Sequence, residues 1–240
     1  MLFRSHSNDD IKSSKDAEDA LAALEEVDDE ITLDNIKSID ARTGSTKRSG
    51  DMSPKETGHI IADIVITLKN GDKKYVSVKN SEGTTIANFG VAKAFNDDMS
   101  VNVASTEWKS WLAPIGLDPD KIEEGLKAYD SGEAVSFDPI EKPNKKFAKT
   151  SAVYKLLHKL WGSDYIYLRH KGKKFHAMSV DDDYIHGELL KNLTITEIRY
   201  PAPGRKQVTV YLTTDGKKYK IELRNSKGAT RPTEMKFGLA

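Results

Sequence analysis

Ala62-Asp63-Ile64-Val65-Ile66-Thr67-Leu68-Lys69-Asn70-Gly71-Asp72-Lys73-Lys74-Tyr75-Val76-Ser77-Val78-Lys79 is the stretch on which the architecture turns. Ile60–Leu68 is a β-branched run, Lys69-Asn70-Gly71-Asp72 carries turn chemistry, and Lys74–Lys79 alternates again, which together predict an antiparallel hairpin. Side chains two apart on a strand share a face, so Ser77 and Lys79 project together. The turn at Asn70-Gly71 lies midway between Asp63 and Lys79, so pairing brings the carboxylate beside the amine.

On the N-terminal side of the hairpin, residues 1–16 are polar and patternless and read as a frayed tail. Apolar residues Ala17, Ala20, Leu21, Leu24 and Val27 recur at helical spacing, which predicts an amphipathic helix over Asp16–Val27. Ile31–Ile39 reads as a strand or a second short helix, and residues 41–58 as a long polar loop. On the other side, residues 80–85 read as a loop and Ile86–Phe95 as a helix. A helix follows over Asp118–Tyr129, with Asp118 as N-cap and Pro119 at the first position. Residues 139–150 read as a linker and Ala152–Trp161 as a helix. Strands are expected at Tyr165–Arg169, Lys174–Val180, Leu193–Tyr200, Val208–Thr213, Tyr219–Leu223 and Glu234–Leu239, with Asp215-Gly216 turning one hairpin. Two hairpins share Lys-Lys-Tyr and an Asn-Ser-x-Gly exit, at Asp63–Thr84 and Gln207–Thr230, either as a partial repeat or by coincidence.

The chain has 240 residues, enough for one large domain or two small ones. No run approaches the ~20 apolar residues that span a bilayer, and the start lacks a secretory core, so a cytoplasmic setting is expected. With no cysteine, disulfides, thiolate zinc sites and cysteine nucleophiles are excluded. The formal charge is zero, yet residues 1–140 carry 16 Lys+Arg against 27 Asp+Glu, a net of −11, and residues 141–240 carry 21 against 10, a net of +11. Such asymmetry reads either as a basic surface for a polyanion or as a solvated acidic end beside a soluble basic one. No P-loop, dinucleotide fingerprint or nucleophile elbow is present.

Asp63 with Ser77-x-Lys79 is the constellation that carries chemistry. A carboxylate can hold Mg2+ against a phosphate, and a lysine can orient water and offset developing charge. This arrangement, over about residues 59–82, resembles the PD-(D/E)xK nuclease superfamily. The resemblance implies that Asp63 is the metal ligand and Lys79 the catalytic lysine. Ser77 stands where the family has Asp or Glu, which removes one metal ligand and leaves Ser77 either to support the remaining ligand or to bind water. A displaced carboxylate is then sought at Glu82, Asp97 or Asp98, with Glu82 the chosen metal ligand beside Asp63, or at Glu25 or Glu26 by family analogy. The plainer reading has Asp63 opening a strand and Ser77 and Lys79 lining its solvent face. The chain is also similar to uncharacterised proteins of large tailed bacteriophages, which suits DNA processing and a virion role alike.

The C-terminal hairpin has Gln207 in place of Asp63 and Glu222-Leu223-Arg224 in place of Ser77-Val78-Lys79, so it lacks the same site. Lys173, Lys174, Arg205, Lys206, Lys218, Lys220, Arg224 and Arg231, interleaved with tyrosines, form a candidate nucleic-acid surface or an ordinary lysine-rich one. His176, His186 and Asp181-Asp182-Asp183 read as a solvated acidic turn before a cation site, and Trp108, Trp111 and Trp161 as core.

The expectation is therefore an α+β protein. A nuclease-like mixed sheet flanked by helices (17–138) precedes a β-rich basic part (151–240). The function expected is a Mg2+-dependent DNA endonuclease, with possible self-association. The alternative is a non-catalytic virion or DNA-associated protein, located in the host cytoplasm or the virion.

Overall fold

The computed structural model describes residues 15–42, 52–80, 85–171, 174–225 and 229–240. The frayed tail expected over 1–16 lies outside them except for Lys15 and Asp16, which open a helix. In chain order the elements are α1 (Lys15–Glu25), β1 (Ile36–Ala41), α2 (Pro54–Ile61), β2 (Ile64–Leu68), β3 (Lys73–Asn80), β4 (Thr85–Gly90), α3 (Pro119–Ser131), β5 (Ile140–Glu141), β6 (Lys145–Lys146), α4 (Ala152–Trp161), β7 (Tyr165–Lys171), β8 (Lys174–Val180), β9 (Thr194–Arg199), β10 (Val208–Thr214), β11 (Lys217–Arg224) and β12 (Glu234–Leu239). The fold is α+β with one mixed and one antiparallel sheet. Among the described residues no helix is long and apolar enough to cross a membrane.

The chain forms two compact units that interleave in sequence. One is drawn from Met1–Arg48, Met52–Gly83 and Trp161–Ile185, the other from Ser49–Asp51, Thr84–Leu160 and His186–Ala240. A division at 139–150 into an N-terminal nuclease-like domain and a C-terminal β domain is thus not the one observed. β7 and β8, from the C-terminal half, complete the first sheet, and β4 joins the second. Long-range strand pairing overrides chain order here, because a sheet buries its apolar face whichever segment supplies the next strand. The expected linker is also partly strand, since β5 and β6 each add a short ladder to β9.

In the first unit the strand order is β1-β2-β3-β7-β8, antiparallel except for the β3–β7 pair. One face carries Ile64, Ile66 and Leu68 of β2, Val76 of β3, and Ile166 and Leu168 of β7, closed by Ala20, Ala23 and Leu24 of α1. Those α1 positions follow the helical period, which is why that helix was legible. Lys74 ends this face, where its ammonium reaches Asp28 at 2.8 Å and Glu30 at 2.5 Å in the turn after α1.

Helix α2 covers β3 and β7. It occupies part of the long loop expected over 41–58, and its start is a capping box. The Ser53 hydroxyl accepts from the Glu56 N–H at 3.2 Å, and the Glu56 carboxylate accepts from the Ser53 N–H at 2.7 Å. α2 lies unusually close to the chain before β7. A Cβ at Gly58 would fall 1.9 Å from the Ser163 carbonyl oxygen, and one at Gly162 would fall 2.5 Å from the Gly58 nitrogen. Gly162 also sits at φ 72°, where an L side chain is strained. The Ser163 N–H donates to Pro54 O at 2.9 Å across the same contact.

In the second unit the order is β4-β12-β11-β10-β9-β5, with β6 also on β9. Its inward row includes Val208, Val210 and Leu212 of β10, Tyr219, Ile221 and Leu223 of β11, and Met235 and Phe237 of β12. Ile86–Phe95 is a strand followed by a short 3-10 turn, not the expected helix. Between Phe237 and Gly238 the β4–β12 register shifts, leaving Ile86 as an extra residue. A bulge of this kind flips the alternation, so Ile86 and Phe89, three apart, are both buried and mimic helical spacing. α3 begins as expected, with Asp118 accepting from the Asp120 and Lys121 N–H groups, and ends at Gly132 in the left-handed region.

Gly58→Ala is expected to lose about 1–3 kcal/mol or more of unfolding free energy, read from the urea midpoint, because backbone cannot yield as a side chain does. Gly187→Ala, whose Cβ meets nothing within 4 Å, is the comparison and is expected within about 0.5 kcal/mol of the parent.

Candidate active site

The second face of the first sheet is polar. Since Val76 faces the core, Ser77 and Lys79 face the other way, with Tyr75 on the same side. The register pairs Ile64 with Val76, so Asp63 stands opposite Ser77 at the mouth of β2. The Asp63 backbone is held on both sides: its N–H donates to Val76 O at 2.9 Å, and its carbonyl accepts from the Arg42 N–H at 2.8 Å.

The three residues singled out in the hairpin do converge. Asp63 Oδ2 accepts from the Val78 N–H at 2.7 Å and from the Ser77 hydroxyl at 3.3 Å, and Lys79 Nζ lies 3.8 Å from the same oxygen. Among the described residues Asp63 Oδ1 has no such partner. The Val78 bond has a structural meaning as well. The carboxylate satisfies a β3 N–H just beyond the last β2–β3 pair, where α2 has ended. Ser77 is 1% exposed, whereas the side chains of Asp63 and Lys79 are 49% and 22% exposed. Ser77 is thus an internal support for Asp63 and does not face water, as a group binding a free water would.

Neighbouring residues extend the face. His59 of α2 stacks on Tyr75 with ring centroids 3.7 Å apart, and its Nε2 lies 2.9 Å from Asp164 Oδ2. Lys55 reaches the same carboxylate at 2.8 Å. The Arg42 guanidinium donates to the His59 carbonyl, tying the end of α2 to the segment after β1. Across the parallel ladder Ser77 pairs with Tyr167 and Lys79 with Arg169, and on β8 these meet Met178 and His176. Burial pushes the Tyr167 phenol up from its ordinary value, so it stays protonated.

Other sequence candidates are placed differently. α1 lies on the apolar face, so Glu25 and Glu26 are on the side of the sheet away from Asp63. Asp97 pairs with Arg231 and Asp98 bonds Ser100, both within the second unit. Glu82 and Lys173 lie outside the described residues. Arg205 donates to the carbonyls of Tyr200 and Pro139, and Lys206 lies 4.0 Å from Asp130 and over the Tyr129 ring. Lys218, Lys220 and Arg224 share the outer face of β11, where Lys220 pairs with Glu222 at 3.1 Å and Arg224 is registered with Glu234. Lys174 belongs to the first sheet, so the basic series is divided between the units. His186 bonds the Tyr154 hydroxyl at 2.8 Å, and Asp181 caps the turn that follows it.

No group of three His, Asp or Glu comes together among the described residues. Mg2+ binds through one or two carboxylates plus substrate phosphate and keeps several waters. The half-exposed Asp63, with Oδ1 turned to no described partner, meets the lower of those requirements.

No protein-family model and no curated protein matches the chain. Among solved structures it is similar to a restriction endonuclease. That structure is MspI in complex with its cognate DNA, at 15% identity and a TM-score of 0.39, over 98% of this chain and 84% of that one. A likeness this slight bears on neither the site nor its chemistry, and nothing in these comparisons touches the bacteriophage resemblance.

Hydrogen bonding from Lys55, and then from His59, holds the Asp164 carboxyl below its ordinary value despite partial burial. A carboxyl lowered in the folded state stabilises above the unfolded pKa of ~3.9 and loses that contribution as pH falls through the lower folded value. The stability gap between the parent and Asp164→Asn is therefore expected to be full above the unfolded pKa of ~3.9 and to shrink as pH falls below it, measured by thermal unfolding on both sides of that value.

Proposed function

We propose that this protein is a DNA endonuclease that hydrolyses phosphodiesters at the Asp63–Lys79 end of the first sheet. The observation that carries the reading is a carboxylate and an ammonium, on neighbouring strands, 3.8 Å apart at a partly exposed sheet face. The resemblance to the PD-(D/E)xK superfamily agrees with it. Asp63 would hold a divalent cation, which supplies Lewis-acid polarisation of a phosphoryl oxygen when bound.

The roles of the chain's own groups follow from their bonds. Val78 N–H and Ser77 Oγ fix Asp63 Oδ2, so the carboxylate is preorganised and its bonds leave Oδ1 for a cation. Lys79 brings a positive charge beside the reacting phosphate and donates a hydrogen bond to the attacking water. Water adds to phosphorus, one P–O ester bond breaks, and the departing alkoxide takes up a proton equivalent to the one the water loses.

A second reading has a specific observation behind it. The same carboxylate ends the β2–β3 ladder, so Asp63 has a structural task whether or not the protein is catalytic. In that reading the protein is a DNA-associated or structural component without hydrolytic activity.

Asp63→Asn separates the two, since an amide oxygen can still accept from Val78 N–H while the charge is gone. In a plasmid-nicking assay with Mg2+ or Mn2+, Asp63→Asn and Lys79→Met are each expected to lose about 10²-fold or more of the rate with little change in unfolding midpoint. Nicking that persists in both variants, or a parent protein that never nicks DNA, would reject the endonuclease.

A further inference from the structure

The C-terminal ends of the two parallel strands lie side by side, and each carries a cation near its end. Lys79 of β3 is level with Arg169 of β7, and Arg169 is level with His176 of β8. All three share the polar face, because Leu168, Phe175 and Ala177 are committed to the apolar one. Lys174, two residues before His176 on β8, projects to that same face and is exposed. Asp63 lies one residue pair down the strands, beside Ser77. The carboxylate therefore borders a row of basic groups along the end of the sheet.

The size of the row fits a polyanion. Neighbouring strands are ~4.8 Å apart, so Lys79, Arg169 and His176 span roughly 10 Å across three strands. A DNA strand carries one charge per ~3.4 Å of axis, so this span meets about two or three phosphates. Carboxyl ends of parallel strands are also where open sheets with helices on their faces place ligands. A planar guanidinium is suited to bind a phosphate in two places at once, which an ammonium cannot do.

We infer that Arg169, with Lys174 and His176, forms a phosphate-binding strip for the DNA backbone flanking the scissile phosphate at Lys79. This rests on the endonuclease reading for the position of the cut, but backbone binding by the strip can be measured without cleavage. Arg169 is a binding residue in this scheme, and its contribution is to hold the strand in register with Asp63 and Lys79.

The test uses the full chain and a fluorescein-labelled 20-base-pair duplex in EDTA, with anisotropy followed from low to moderate salt. Arg169→Ala and Lys174→Ala are each expected to lower the slope of log K against log salt by about 0.9, the loss of one phosphate contact. Arg169→Lys is expected to keep the slope and bind more weakly than the parent. Lys236→Ala, on β12 of the second unit, is expected to leave the slope unchanged. Slopes unaltered in both strip variants, with unfolding midpoints intact, would overturn the strip, as would an equal fall in Lys236→Ala.

Nicking then separates the two proposals. Reduced slopes in the strip variants with a parent that never nicks leave the strip standing and remove the endonuclease. Parent nicking with unchanged KM in Arg169→Ala does the reverse. A parent that fails to bind the duplex at all overturns both.

Discussion

In the parallel ladder of β3 with β7, residues 90 positions apart are placed level with one another, and the polar face beside the hairpin depends on it. β3 ends at Asn80 and β7 begins at Tyr165. A parallel pair needs a crossover of a dozen residues or more, and here the crossover also contributes strands and helices to the second unit. Closing so long a loop is not prohibitive, since each doubling of length costs only about 0.6 kcal/mol of closure entropy. Nearly three doublings beyond a minimal crossover cost no more than about what one well-buried leucine contributes. The ladder is secured by Val76, Ile166 and Leu168 on the apolar face and by α2 on the other.

Two faces with opposite chemistry follow from that ladder. Residues of even number in β2 and β3 make the apolar side, and those of odd number make the polar one. A buried polar group costs free energy unless it is hydrogen-bonded, so Ser77 can occupy a closed position because Asp63 accepts its hydroxyl's hydrogen bond. Asp63 in turn stands at the strand mouth because α2 ends at Ile61. α2 is pinned by the Gly58–Ser163 approach and by the Asp164 contacts to Lys55 and His59. The site is thus held from below by side-chain bonds and from the side by backbone contact.

Much of the fold was legible, and the failures have physical causes. The hairpin at 63–79, the helices at 15–25, 119–131 and 152–161, and the six C-terminal strands all carry their own period or cap. Asp63, Ser77 and Lys79 converge as the turn position requires. The Gly and Thr content of α2 obscures a capping box, Ser53-Pro54-Lys55-Glu56, which is the signal of that helix in the sequence. β4 carries a helix-like spacing because a bulge puts Ile86 and Phe89 on one side. That Arg169 neighbours Lys79 is not legible in the sequence, since no local pattern links residues ninety positions apart.

By itself the sequence determined the elements whose hydrogen bonds close within a few residues, and with them the pairing of Asp63 with Ser77 and Lys79, because a hairpin's register is set by its own turn. Only the tertiary structure decided that β7 and β8 leave the C-terminal half for the first sheet, that β4 joins the second, and that Arg169 and His176 line up with Lys79. Those outcomes depend on which distant apolar faces bury one another. That competition is settled by the surface removed from water over the whole chain, and no local stretch records it.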